Sequence, residues 1–121
     1  MILPRVTLAA SLLAVTAAYA HETAGQHGGR VTDAGKFHVE LVAKGETVDV
    51  FLSDEGQKPV AAAGFKGTAI LVVGGKPARV PLEPADGNRM TGKAATELGE
   101  SPKGAVQLTG PGGETASGKF N

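Results

Sequence analysis

Short runs in which apolar and polar residues alternate, separated by glycine-rich turns, constrain the fold of this chain most strongly. The clearest run begins at residue 37, where Phe37, Val39 and Leu41 alternate with polar residues. Side chains two residues apart share one face of an extended strand, so this period is typical of a strand that buries one side. We therefore expect half-buried β-strands joined by tight turns.

A second alternating run, residues 47–53, follows the first after a Lys-Gly-Glu turn and predicts a β-hairpin. A two-residue turn at Lys44 and Gly45 would place Glu40 opposite Asp49. A four-residue turn would instead place Glu40 opposite Phe51. The sequence leaves both registers open.

The remaining strands are read from the same pattern. Residues 68–73 form the most apolar run after residue 20 and predict a central strand, whereas Pro81 cannot donate a ladder hydrogen bond and predicts an edge strand over residues 78–83. Residues 105–109 and 115–120 predict a final hairpin. Seven to eight short strands with frequent turns favour an all-β fold, an antiparallel immunoglobulin-like β-sandwich.

Residues 1–20 have the layout of a secretory signal: Arg5, an apolar run over residues 6–15, and a small-residue end at Ala18 and Ala20. The apolar run is well short of the ~20 residues that span a bilayer. We expect cleavage after Ala20, and a periplasmic protein, because export without any cysteine is common in bacteria.

Cleavage would leave 101 residues with 11 basic and 12 acidic side chains, a formal charge of −1. This balance gives no basic field for nucleic acid, and we expect no membrane association after cleavage. We divide the chain into the signal peptide, residues 1–20, a flexible His- and Gly-rich arm, residues 21–36, and the β-sandwich domain, residues 37–121.

All three histidines lie within a stretch of eighteen residues that begins at the predicted cleavage point. A histidine at the mature N-terminus, His21, offers an α-amino nitrogen and an imidazole to one metal ion. His27 adds a third nitrogen, and His38 and Glu40 project from the same side of a predicted strand. Amine and imidazole nitrogens suit Cu(II), Ni(II) and Zn(II). The sequence therefore predicts a metal site formed by His21, His27, His38 and Glu40.

Four segments carry a resemblance to a known class of protein: H-G-G-R-V at residues 27–31, F-H-V-E-L-V at 37–42, V-F-L-S-D at 50–54 and K-P-V at 58–60. The chain resembles small periplasmic domains that accompany copper, zinc and nickel efflux systems, over about residues 26–95. What the resemblance implies is a metal-handling role with His27, His38 and Glu40 in the functional positions, and an efflux-system component as a partner.

Our first interpretation is a periplasmic protein that binds a divalent metal and buffers or delivers it in heavy-metal resistance. The alternative is an interaction module, a β-sandwich that docks on an envelope partner through its edge strands. A copper enzyme ranks third. No Ser/His/Asp arrangement and no phosphate-binding loop is present, so we expect no enzymatic activity and no organic cofactor.

Overall fold

Nine β-strands make up the regular structure of this chain in a computed structural model that describes residues 22–121. The predicted signal peptide, the cleavage point and His21 lie outside the described residues. The strands are β1 Thr23–Ala24, β2 Arg30–Ala34, β3 Phe37–Lys44, β4 Thr47–Ser53, β5 Lys66–Val73, β6 Lys76–Pro84, β7 Arg89–Lys93, β8 Lys103–Thr109 and β9 Thr115–Phe120.

The expected β-sandwich is wrong, because the sheet closes on itself. The strands follow the order β2-β3-β4-β7-β6-β5-β8-β9, and β9 pairs with β2 through Ala34 and Gly118 to complete an antiparallel ring of eight strands. The short β1 adds to β2 outside this ring. A side chain at position 118 would meet Thr32 and Val39 at 2.9 Å, so glycine is what allows the two strands to approach here.

Two of the predicted hairpins are confirmed, and one register question is resolved. β3 pairs with β4 and β8 pairs with β9. Glu40 lies opposite Phe51 and His38 opposite Ser53, which is the register expected of the four-residue turn. Lys44 pairs with Thr47, however, so only Gly45 and Glu46 are left in the turn. The Glu40–Phe51 pairing places an aromatic ring beside the Glu40 carboxylate on the outer face of the barrel.

The strand predicted to be central, β5, does lie between β6 and β8. The strand predicted to be an edge, β6, has a neighbour on both sides. Its pairing with β7 is nevertheless confined to Glu83 and Pro84, so Pro81 lies outside that ladder and its missing N–H costs no hydrogen bond to β7.

Inward side chains of all eight ring strands fill the barrel, and two loops close its ends. Leu98 lies by the β3–β4 turn, where its N–H donates to the Gly45 carbonyl. At the opposite end, Phe65 packs edge to face on Phe37 with ring centroids 5.4 Å apart. The buried apolar residues are Ala34, Val39, Leu41, Val48, Val50, Leu52, Ala62, Phe65, Ala69, Leu71, Val80, Leu82, Met90, Ala94, Leu98, Val106, Leu108 and Phe120.

Candidate functional site

The segment between β1 and β2 folds back over the outer face of β3 and β4. Its ends are drawn together because β1 pairs with β2 and because the Gly25 N–H donates to the Gly29 carbonyl at 2.9 Å. The loop thereby brings His27 onto the barrel wall. Residues 22–36, predicted as a flexible arm, thus include two strands of the sheet, while the mobility of the arm stays a prediction.

Glu40 holds this loop with three hydrogen bonds. Its Oε2 accepts from the backbone N–H of His27 at 2.8 Å and from that of Gly29 at 2.9 Å, and its Oε1 lies 2.8 Å from Nδ1 of the His27 ring. Glu40 is only 5% exposed. A buried carboxylate is costly unless its oxygens are hydrogen-bonded, and these three donors meet that need.

The glycines of the loop are required by this close approach. A Cβ on Gly25 would lie 2.1 Å from the Glu40 carboxyl carbon, and a Cβ on Gly29 would lie 2.2 Å from the Leu41 carbonyl oxygen. Gly28 between them has φ of 80°, which disfavours other residues. The His-Gly-Gly sequence is therefore explained by the geometry that places the histidine against Glu40.

The His27 ring lies flat on Phe51, with ring centroids 3.6 Å apart and an angle of 3° between their planes. An ionised carboxylate only accepts hydrogen bonds, so Nδ1 carries the proton that is shared with Glu40. In the neutral ring, Nε2 is then the nitrogen with a free lone pair. Because the side chain is 42% exposed, this imidazole is fixed in position yet accessible from solvent.

An open cavity of about 370 Å³ lies beside His27. His38 also borders it, and its Nε2 is 3.2 Å from the carboxylate of Asp33 on the neighbouring strand. The cavity is lined by Thr23, Ala24, Gly25, Gln26, His27, Val31, Asp33, His38, Glu40, Phe51, Ser53, Gln57, Pro59 and Asn88.

Three of the four predicted ligand residues, His27, His38 and Glu40, therefore border one cavity, and the fourth, His21, lies outside the described residues. Within residues 22–121, no group of three or more His, Asp or Glu side chains is arranged to hold a metal ion.

Phe51 and Asp33 belong to the site, although the sequence reasoning did not select them. Phe51 supports the His27 ring and Asp33 contacts His38. The sequence does contain one indication of the role of Phe51, because the alternation of residues 47–53 places this large apolar ring on the solvent face, where another group is expected to cover it. The covering group is the loop that carries His27.

Comparison of the chain with protein-family models, with curated proteins and with solved structures gave no match. Over residues 22–121, no helix is long and apolar enough to cross a membrane.

Proposed function

We propose that this protein binds one divalent transition-metal ion at the cavity beside His27, and that it buffers or delivers that ion in the periplasm. The observation that carries the proposal is the His27–Glu40 pair. In protein metal sites, a histidine that binds the metal through one ring nitrogen commonly donates the N–H of its other ring nitrogen to a carboxylate, which is the contact that His27 makes with Glu40.

Glu40 acts in this proposal through His27 and not as a ligand. Both of its oxygens already accept hydrogen bonds from the loop, and it is buried beneath that loop. Because the carboxylate is buried, binding a metal directly would require the loop that covers it to move away. The role of Glu40 is to fix the tautomer and the orientation of the imidazole and to make Nε2 more basic, and so a stronger ligand for the metal.

The remaining ligands come from the other two histidines. His38 borders the same cavity, and in the chain His21 is two residues before Thr23, which also borders it. If export removes residues 1–20, His21 also carries a free amine. Three or four nitrogen donors and no cysteine make Cu(II), Zn(II) and Ni(II) the favoured ions.

The alternative, an interaction module that docks by its edge strands, has less support. Every strand of the eight-membered ring has two neighbours, and the outer strand β1 has only two residues. Residues 76–82 of β6 are not paired with β7, but this stretch contains Pro77 and Pro81, which have no N–H to donate to an added strand. β-strand addition needs an exposed and unpaired edge.

Equilibrium dialysis of the purified protein against each of the three ions tests the proposal. We expect uptake of one ion per chain at micromolar metal. His27→Phe keeps a planar ring against Phe51 but removes both ring nitrogens, so it should lose most of the affinity. Each tenfold loss corresponds to ~1.4 kcal/mol.

The control is Lys44→Ala, at the end of β3 and outside the cavity, which removes an exposed side chain and should bind metal like the wild type. Absence of uptake by the wild type would contradict the proposal. Equal uptake by wild type and His27→Phe would show that the metal binds elsewhere. Far-UV spectra in excess chelator should retain β structure, since the barrel buries its core without the ion.

A further inference from the structure

The wall of the barrel formed by β6, β5, β8 and β9 carries an uneven distribution of charge. Side chains alternate along each strand, so the outward residues follow from the register. Arg79 pairs with Ile70, Ile70 with Ala105, and Ala105 with Lys119, which makes a line across four strands with a cation at each end. Neighbouring strands are ~4.8 Å apart, so this line is about 14 Å long at the backbone.

The next line on the same wall has an apolar centre and a cation at one end only. Val72 lies between Pro77 on one side and Lys103 on the other. Val72 is 45% exposed, and among the described residues it is the one large hydrophobic side chain that is exposed. An apolar centre bordered by three cations, Arg79, Lys103 and Lys119, is therefore displayed to solvent.

These cations are not neutralised by the protein itself. Within residues 22–121, Arg79, Lys103 and Lys119 form no salt bridge, and the outward positions of the four strands hold a single carboxylate, Glu83. The opposite wall differs, because there Arg89 is bonded to Asp49. A chain with almost no net charge thus has one side whose positive charge is available to a partner.

We infer that this wall docks on a membrane surface rich in anionic phospholipid. This replaces the expectation of no membrane association after cleavage, which was drawn from the net charge and not from how the charges are distributed over the surface. The outside of a barrel wall is convex and offers no cleft for a peptide, whereas a layer of lipid headgroups adapts to such a surface. Lysine and arginine extend apolar stems with a charged end, which suits the headgroup boundary, and Val72 at the centre enters its apolar side.

Docking in this way leaves the His27 cavity open to water. In the ring of eight strands, β3 and β5 are four places apart and therefore lie on opposite sides of the barrel. The cavity is built on the outer face of β2, β3 and β4, and the cationic wall is centred on β5 and β8. The inference does not depend on metal binding, because the two surfaces share no residue.

Sedimentation with lipid vesicles tests this inference. The probes are vesicles of phosphatidylcholine alone and vesicles in which about one third of the lipid is phosphatidylglycerol. The wild type should sediment with the anionic vesicles, and less so as the salt concentration rises. The triple variant Arg79→Gln/Lys103→Gln/Lys119→Gln should partition on the order of a hundredfold more weakly, since each surface cation contributes several-fold.

The matched control is Lys36→Gln/Lys44→Gln/Lys58→Gln, which makes the same change in net charge at exposed positions elsewhere on the barrel. It should bind as the wild type does. The wild type and all variants have the same N-terminal segment. Any binding through the apolar run of residues 6–15 is therefore the same in each of them, and vesicles of phosphatidylcholine alone measure it. Val72→Ser provides a single substitution that should weaken binding several-fold without altering charge.

Three results would overturn the inference. The first is no binding of the wild type to anionic vesicles, and the second is an equal loss of binding in both triple variants. The third is wild-type binding by both Val72→Ser and, separately, Arg79→Gln/Lys103→Gln/Lys119→Gln. Binding to immobilised polyglutamate in the absence of vesicle binding would also overturn it, and would indicate an acidic protein partner.

Discussion

The replacement Glu40→Gln should change which nitrogen of His27 carries its proton while leaving the barrel folded. Glutamine has nearly the shape of glutamate. Its amide oxygen can accept from the His27 and Gly29 backbone N–H groups in place of Oε2. Its NH₂ group then faces His27 Nδ1 and can only donate. The ring proton must move to Nε2, the nitrogen that we propose as a metal ligand.

The magnitude follows from the three hydrogen bonds, which span 2.8 to 2.9 Å. Hydrogen bonds to a charged group are worth ~1.5–3 kcal/mol, and neutral ones ~0.5–1.5. Because His27 is partly exposed, water replaces some of the lost interaction, and we expect a loss of about 1–3 kcal/mol in the free energy of unfolding. Replacing a group that orients a metal-binding histidine lowers the metal affinity by ~10–100-fold.

Three measurements check this prediction at about pH 8. Nitrogen NMR of the ring reports the tautomer, urea unfolding reports stability, and competition with a chromophoric chelator reports affinity. Asp49→Asn is the control, since it makes the same chemical change on the same wall beside Arg89 and Thr91. It should leave the His27 tautomer and the metal affinity unchanged. A ring proton that stays on Nδ1 in Glu40→Gln, or an unchanged metal affinity, would refute the reasoning.

Other substitutions probe separate parts of the structure. The buried Thr32 hydroxyl has no hydrogen-bond partner, so replacement by valine should raise the free energy of unfolding by about 1 kcal/mol in a urea titration. Gly118→Ala should lower the free energy of unfolding by ~1–3 kcal/mol, because the added methyl group overpacks the β2–β9 closure. A side-chain hydrogen bond from Arg89 holds the pKa of the Asp86 carboxyl below its ordinary value. The pair therefore stabilises the fold at neutral pH, and this stabilisation is lost as the pH falls through the lowered pKa. NMR titration should show a higher pKa for Asp86 in Arg89→Gln. One alanine added before His21 should weaken Cu(II) binding in chelator competition while leaving urea unfolding unchanged, because it separates the free amine from the imidazole.

The strands and their inward faces were predictable because alternation is a local property. The sequence of β3 assigns Val39 and Leu41 to the core and His38 and Glu40 to the outer face, and the structure agrees on which side each lies. Burial was not predictable in the same way. Glu40 is on the outer face and yet buried, because a loop from elsewhere in the chain covers it.

The distinction between a sandwich and a barrel could not be drawn from the pattern. Both folds require the same alternation, and they differ in whether the first and last strands meet. That meeting depends on the accumulated twist of the sheet and on the small residues Ala34 and Gly118, which are far apart in the chain. Register also needed the structure, since only it places Phe51 and not Asp49 beside Glu40.

The sequence by itself determined that this chain forms short antiparallel strands, that its histidines are grouped near the predicted mature N-terminus, and that its net charge is close to zero. These are properties of composition and of neighbours in the chain. The tertiary structure decided how the grouped residues are used: His27 is held on Phe51 by Glu40, and the cations of β6, β8 and β9 gather on one wall. The physical reason is that strand pairing brings residues that are distant in the chain side by side. Composition and net charge are sums over the chain, so they contain neither the packing of His27 on Phe51 nor the direction of the local electric field at the wall.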